Sequence, residues 1–71
     1  MTLEDFNEEF KRIDLHSIAK EYEQDGVPDK PARRETYNNK KDSYCREGII
    51  TEMDCDNWCI PSSLETTLYW L

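Results

Sequence analysis

Residues 29–61 read DKPARRETYNNKKDSYCREGIITEMDCDNWCIP, and the punctuation of this stretch decides the fold. Asp29 is a good helix cap, and Pro31 stands two positions later, in the first turn, where its missing N–H costs nothing. The spacing predicts a helix over 31–46 that stops at Gly48. Its apolar face is thin: Ala32, Tyr37, Tyr44 and Cys45, with the stems of Arg34 and Lys41 available to cover gaps. Thr51-Glu52-Met53-Asp54 has the form of a capping box. It opens a short helix over 52–59 whose apolar residues are Met53, Cys55, Trp58 and Cys59, and Pro61 stops it. The stretch therefore reads as a helical hairpin turning at residues 47–50. It holds all three cysteines, one of two tryptophans and six of nine basic residues.

Working outward, Thr2 caps a helix in which Leu3, Phe6, Phe10 and Ile13 recur at spacings of three and four. A second series, Leu15, Ile18, Ala19 and Tyr22, is out of phase with the first. The step of two from Ile13 to Leu15 predicts a helix over 3–12 and another over 15–24, capped by Asp14, or one kinked helix. Gly26 suits its left-handed end, and residues 27–31 form a linker. Beyond Pro61, Ser62 is placed to cap a last turn carrying Leu64, Leu68, Tyr69 and Leu71. The expectation is an all-α single domain of four to five short helices. Residues 1–26 are its acidic segment, 29–61 the hairpin and 62–71 an apolar C-terminal turn.

Seventy-one residues carrying 37% apolar and 35% charged side chains make one domain with a thin stability margin and little room for an enclosed catalytic cleft. The net charge of −7 is uneven. Residues 1–26 carry eight acids against three bases, residues 27–47 six bases against four acids, and residues 48–71 four acids and no base. An acidic balance opposes phosphate-backbone binding and suits a partner with a basic surface. No apolar run is long enough for a membrane span, and the acidic N-terminal residues lack the basic-then-apolar form of a signal peptide. Three cysteines at no framework spacing fit a reduced, cytoplasmic protein.

Catalytic chemistry finds no foothold. Asp14 and His16 fall on different helix faces, and the carboxylate pairs are those of solvated amphipathic helices. The two glycines cannot build a phosphate loop, and no cofactor is expected. Cys45, Cys55 and Cys59 with His16 have the composition of a closed zinc set, but their spacing departs from the usual ligand pairs. Core thiols are the simpler reading; a Cys45 bridge to Cys55 or Cys59 is geometrically accessible, but a reducing cell disfavours it. A basic strip of Lys30, Arg33, Arg34, Lys40, Lys41 and Arg46 would suit DNA, but Asp29, Glu35, Asp42 and Glu47 interrupt it, and the simpler reading is that it balances the acidic helices on either side within the chain.

Arg33, Tyr37, Asn38, Asp42, Ser43, Gly48, Ile50, Thr51, Trp58 and Pro61 together make a pattern similar to one in short, uncharacterised helical proteins of bacteriophages and mobile elements. The resemblance covers less than half the chain and implies a phage-encoded accessory protein. The function expected is non-enzymatic: an acidic module that inhibits a host defence or nucleic-acid-handling protein, of the anti-CRISPR or anti-restriction type, in the host cytoplasm. Glu4, Asp5, Glu8, Glu9, Glu52, Asp54 and Asp56 would steer association. Tyr69 and Trp70, with Trp58 in support, would anchor a partner or a second copy of the chain. The alternatives are a small DNA-binding transcriptional regulator using Arg33, Arg34, Lys40 and Lys41, and a zinc-stapled interaction module.

Overall fold

Thr2 opens the first helix as its spacing predicts, its hydroxyl accepting the Asp5 N–H at 3.1 Å. The computed structural model describes residues 1–68, whose regular elements are all helices, with no strand among them. Helix α1 (Leu3–Glu9) does not end before the second apolar series. It passes through a π-helical turn, Phe10–Asp14, directly into α2 (Leu15–Tyr22). Within that turn the Phe10 carbonyl accepts the Leu15 N–H, five residues on. One extra residue per turn re-phases the helix, so Phe6, Phe10, Leu15, Ile18 and Ala19 are all buried. Of the two expected forms, the break is absent and the helix is continuous. Ile13 is the residue turned out, 51% exposed. Asp14 has helical backbone angles and makes no capping bond, so it does not start a new helix.

The chain leaves α2 through a turn in which the Gly26 N–H meets the Glu23 carbonyl at 3.0 Å. Gly26 takes a positive φ of 82°, but it serves this turn and does not cap the helix. Helix α3 (Lys30–Arg46) begins where Asp29 accepts the Ala32 N–H at 3.1 Å, with Pro31 in its first turn. Its end is a Schellman motif. The Gly48 N–H bonds to the Cys45 carbonyl at 3.1 Å, and the Ile49 N–H to the Tyr44 carbonyl at 2.9 Å. Gly48 has φ 76° and open space where a Cβ would stand. Gly48→Ala should therefore cost only the backbone penalty, about 1–2 kcal/mol. Gly48→Asn should recover part of it. Urea titration of the two variants checks this, and equal losses would show that the left-handed angle is not the source.

Thr51 caps α4 (Glu52–Asn57), accepting the Asp54 N–H at 3.1 Å. The helix stops at Asn57 because Trp58 turns to extended backbone and lays its ring 5.4 Å from that of Phe6. Met53, 72% exposed, and the exposed Cys59 do not form the apolar face expected of them. The last helix, α5 (Ser62–Thr66), follows Pro61 without a side-chain cap, so Ser62 does not cap it. Leu64 is buried there while Leu68 is exposed. The other tail residues expected on this face, Tyr69 and Leu71, lie outside the described residues.

Helix α3 is the central element, packed by α2, α4 and α5. Phe6, Phe10, Leu15, Ile18, Tyr37 and Leu64 form the core, with Ala32, Tyr44, Trp58 and Ile60 packed around it. Tyr37 receives Phe6 and Phe10 edge-on, at centroid distances of 5.1 and 5.2 Å. Such pairs contribute about 0.5–1.5 kcal/mol each beyond their burial. The small bundle is thus tied together by aromatic contacts, with the N-terminal helix laid across α3.

Candidate protein-binding surface

Three bases of α3, Arg33, Lys40 and Lys41, turn inward. Arg33 is completely buried. Its Nε and one Nη donate to the two carboxylate oxygens of buried Glu23, at 2.8 and 2.7 Å, and its other Nη donates to the Leu64 carbonyl at 3.0 Å. Glu23 also accepts the Asp29 N–H at 2.9 Å. Burial alone would push the Glu23 carboxyl up, but Arg33 and that N–H outweigh it and hold it below the usual glutamate range. One ion pair therefore links the end of α2, the start of α3 and the backbone of α5.

Two turns on, Lys41 is buried and donates to the carbonyls of Cys55 (3.2 Å) and Trp58. It thereby caps the C-terminal end of α4, where a cation complements the helix dipole. Lys40 bonds to Asp14 at 2.6 Å and Glu9 at 3.3 Å, beneath the ring of Tyr44 at 5.1 Å. Glu9 and Asp14 are five residues apart, a separation that the π turn brings onto one side. The Tyr44 hydroxyl donates to Glu9 as well. That bond, with Lys40, lowers the Glu9 carboxyl, and it raises the Tyr44 hydroxyl. Burial opposes the charge on Lys40, yet Asp14 and Glu9 raise it overall. On the outer side Arg34 pairs with Glu65 at 2.8 Å, and Arg46 with Asp42. Of the six bases in the strip suited to DNA, only Lys30 lacks such a partner in the described residues.

The acids expected to steer association divide. Glu9 is consumed in the Lys40 network, which corrects its assignment to a free steering face. Glu4, Asp5 and Glu8 are exposed on α1. Glu4 and Glu8 flank a groove of about 350 Å³ between α1 and α5, with Asn7 and Lys11 on the α1 side and Pro61 and Leu64 opposite. Glu52 and Asp56 are exposed on α4, and Asp54 is half-buried there, so the acids form two surfaces, one on each helix. Trp58, half-buried against Phe6, belongs mainly to the packing. Tyr69 and Trp70 lie outside the described residues.

The chain matches no family model, no curated protein and no solved structure. Among the described residues no three His, Cys, Asp or Glu side chains gather as a metal-binding group. Cys45, Cys55, Cys59 and His16, the set suited to zinc by composition, are therefore not gathered at one point. Burial, with Cys59 adding to it, pushes the Tyr37 hydroxyl up to about 12, and that hydroxyl donates to Asn7 at 2.6 Å. No described helix is long and apolar enough to cross a membrane. The residues that sequence reasoning missed are Glu23, Arg33, Lys40 and Lys41 as internal pairs. Their signal was phase: Arg33, Tyr37, Lys41 and Tyr44 recur at spacings of four, four and three.

Proposed function

We propose that this chain is a non-enzymatic, acidic helical module that binds a protein through that partner's basic surface. Among such partners, a host defence or nucleic-acid-handling protein fits best, because its substrate groove is itself basic; the chain would then be a phage-encoded inhibitor. One observation carries the reading. Folding spends Arg33, Lys40 and Lys41 of α3 on internal partners and leaves Glu4, Asp5, Glu8, Glu52 and Asp56 exposed. An outward face of that sign steers association with basic surfaces and speeds encounter at low salt. The same observation weakens the DNA-regulator alternative, whose Arg33, Lys40 and Lys41 are occupied inside.

The test is affinity capture from a bacterial extract by the wild-type chain and by the triple variant Glu4→Lys, Asp5→Lys, Glu8→Lys. Circular dichroism should show both folded, since none of the three side chains is buried. The wild type should retain a basic partner that elutes as salt rises, and the variant should retain at least about tenfold less of it, the scale of losing a few steering charges. Equal capture by both would overturn the acidic-face reading. In parallel, titration of duplex DNA at low salt should show no association. Salt-sensitive binding there would favour the regulator instead.

A further inference from the structure

The turn that joins α2 to α3 carries the one Asp-Gly step in the chain, Asp25-Gly26. Every other aspartate lies within a helix or, as Asp29 does, caps one, and no asparagine precedes a glycine. Asp25, Gly26 and Val27 are all exposed and lie outside the helices. The Asp25 carboxylate accepts the Val27 N–H at 3.1 Å, a turn that folds the side chain back over the Gly26 peptide between them. Gly26 has no side chain to shield its nitrogen, and the space where a Cβ would stand is empty. One bond holds that nitrogen, to the Glu23 carbonyl at 3.0 Å. Asp25 also lines a groove of about 370 Å³ with Val27 and Pro28, so water reaches it.

We propose that Asp25-Gly26 is a modification site, at which the aspartate converts to isoaspartate through a succinimide. The Gly26 nitrogen attacks Cγ of the protonated Asp25 carboxyl, and the amide proton and the carboxyl hydroxyl leave together as water. A five-membered imide ring closes across the two residues. Water then adds to the imide. Addition at the Asp25 main-chain carbonyl breaks the original peptide C–N bond, so that the chain runs through Cβ and Cγ and the former carbonyl is released as a carboxylate. Addition at Cγ restores aspartate. One water leaves and one enters, and nothing is oxidised or reduced. The same cyclisation at Glu47-Gly48 needs a six-membered ring, which closes less readily, and the Gly48 nitrogen is held in the cap of α3. Isoaspartate adds one backbone atom to the turn that the Glu23 bond to the Asp29 N–H spans. The site stands whether or not the acidic faces bind a partner.

The full chain, kept warm near neutral pH in heavy-oxygen water and then mapped by peptide mass, tests this. The peptide that contains Asp25 should gain one heavy oxygen and separate into two forms of equal mass, aspartyl and isoaspartyl. The isoaspartyl form should accept a methyl group from S-adenosylmethionine when an isoaspartyl carboxyl methyltransferase is added. Asp25→Ser, which keeps a small polar side chain in the turn, should lose both signals. Only one exposed hydrogen bond restrains the Gly26 nitrogen, so conversion in the folded chain should run within about tenfold of the rate in the chain unfolded by guanidinium chloride. A folded chain slower than that, no heavy oxygen at Asp25, or isoaspartate arising equally at the helical aspartates would each overturn the assignment.

Discussion

Arg33→Met should cost about 3–5 kcal/mol, because it leaves a buried carboxylate without its cation. Methionine nearly fills the arginine's volume, so the loss reads charge and hydrogen bonding and not a cavity. Total stability for a chain of this length is on the order of 4–10 kcal/mol, and the variant should be largely unfolded in mild urea. The double variant Arg33→Met, Glu23→Leu should regain at least half the loss, since a buried ion pair replaced by apolar groups is often close to neutral. It should not regain all of it, because the Asp29 N–H and the Leu64 carbonyl both lose their partners.

The pH dependence separates the two. Glu23 is held below its ordinary range in the fold, so its contribution is present above the unfolded glutamate pKa and is lost as pH falls beneath it. In Arg33→Met burial is opposed only by the Asp29 N–H, and the Glu23 pKa rises. Protonation then relieves the variant, and the stability gap to wild type should narrow as pH is lowered from 7 towards 4. Urea titrations at several pH values, followed by far-UV circular dichroism, measure this. A gap that stays constant or widens would show that Glu23 is not the origin of the cost.

The hairpin was legible because its signals are local. Asp29, Thr51 and Gly48 each act through bonds to residues within a few positions, and all three take the roles their chemistry dictates. What lies on α3 between those signals was less legible. A helix with so few apolar residues gives little sign of what it buries, yet it is the centre of the bundle. The resolution is that Arg33 and Lys41 occupy buried positions in phase with Tyr37, each satisfied by a partner distant in sequence: Glu23 for one, the end of α4 for the other. Side-chain type argued for solvent, and only the partners could reverse that. The acids show the same limit. Glu4, Asp5, Glu8 and Glu9 look alike in sequence, but the π turn sets Glu9 beside Asp14 and hands both to Lys40. The turn itself left a trace in the odd step between the two apolar series, which fits a break or one continuous helix equally because an inserted residue and a new helix give the same pattern.

Deleting Ile13 should leave the protein folded, whereas deleting Ser17 should abolish cooperative folding. Both residues are exposed and both deletions shorten the same continuous helix by one position, so composition and length do not distinguish them. Phase does. Without Ile13, Phe10 and Leu15 fall four apart, and Phe6, Phe10, Leu15 and Ile18 follow an ordinary α-helical stripe. Glu9 and Asp14 also become i and i+4, still neighbours on one face and within reach of Lys40. The π turn becomes an α turn, and the cost should stay within about 1 kcal/mol, the usual range for a change that touches no buried group. Deleting Ser17 has no such remedy. It rotates everything upstream by roughly 100° relative to Ile18 and Ala19, so the helix must give up either Phe6 and Phe10 or the end that carries Glu23. Removing one buried Phe costs about 3–5 kcal/mol, and displacing two exceeds the stability available. Thermal melts followed by circular dichroism should show one cooperative transition for the first deletion and none for the second. If both deletions melt alike, the buried stripe does not depend on the extra residue of the π turn.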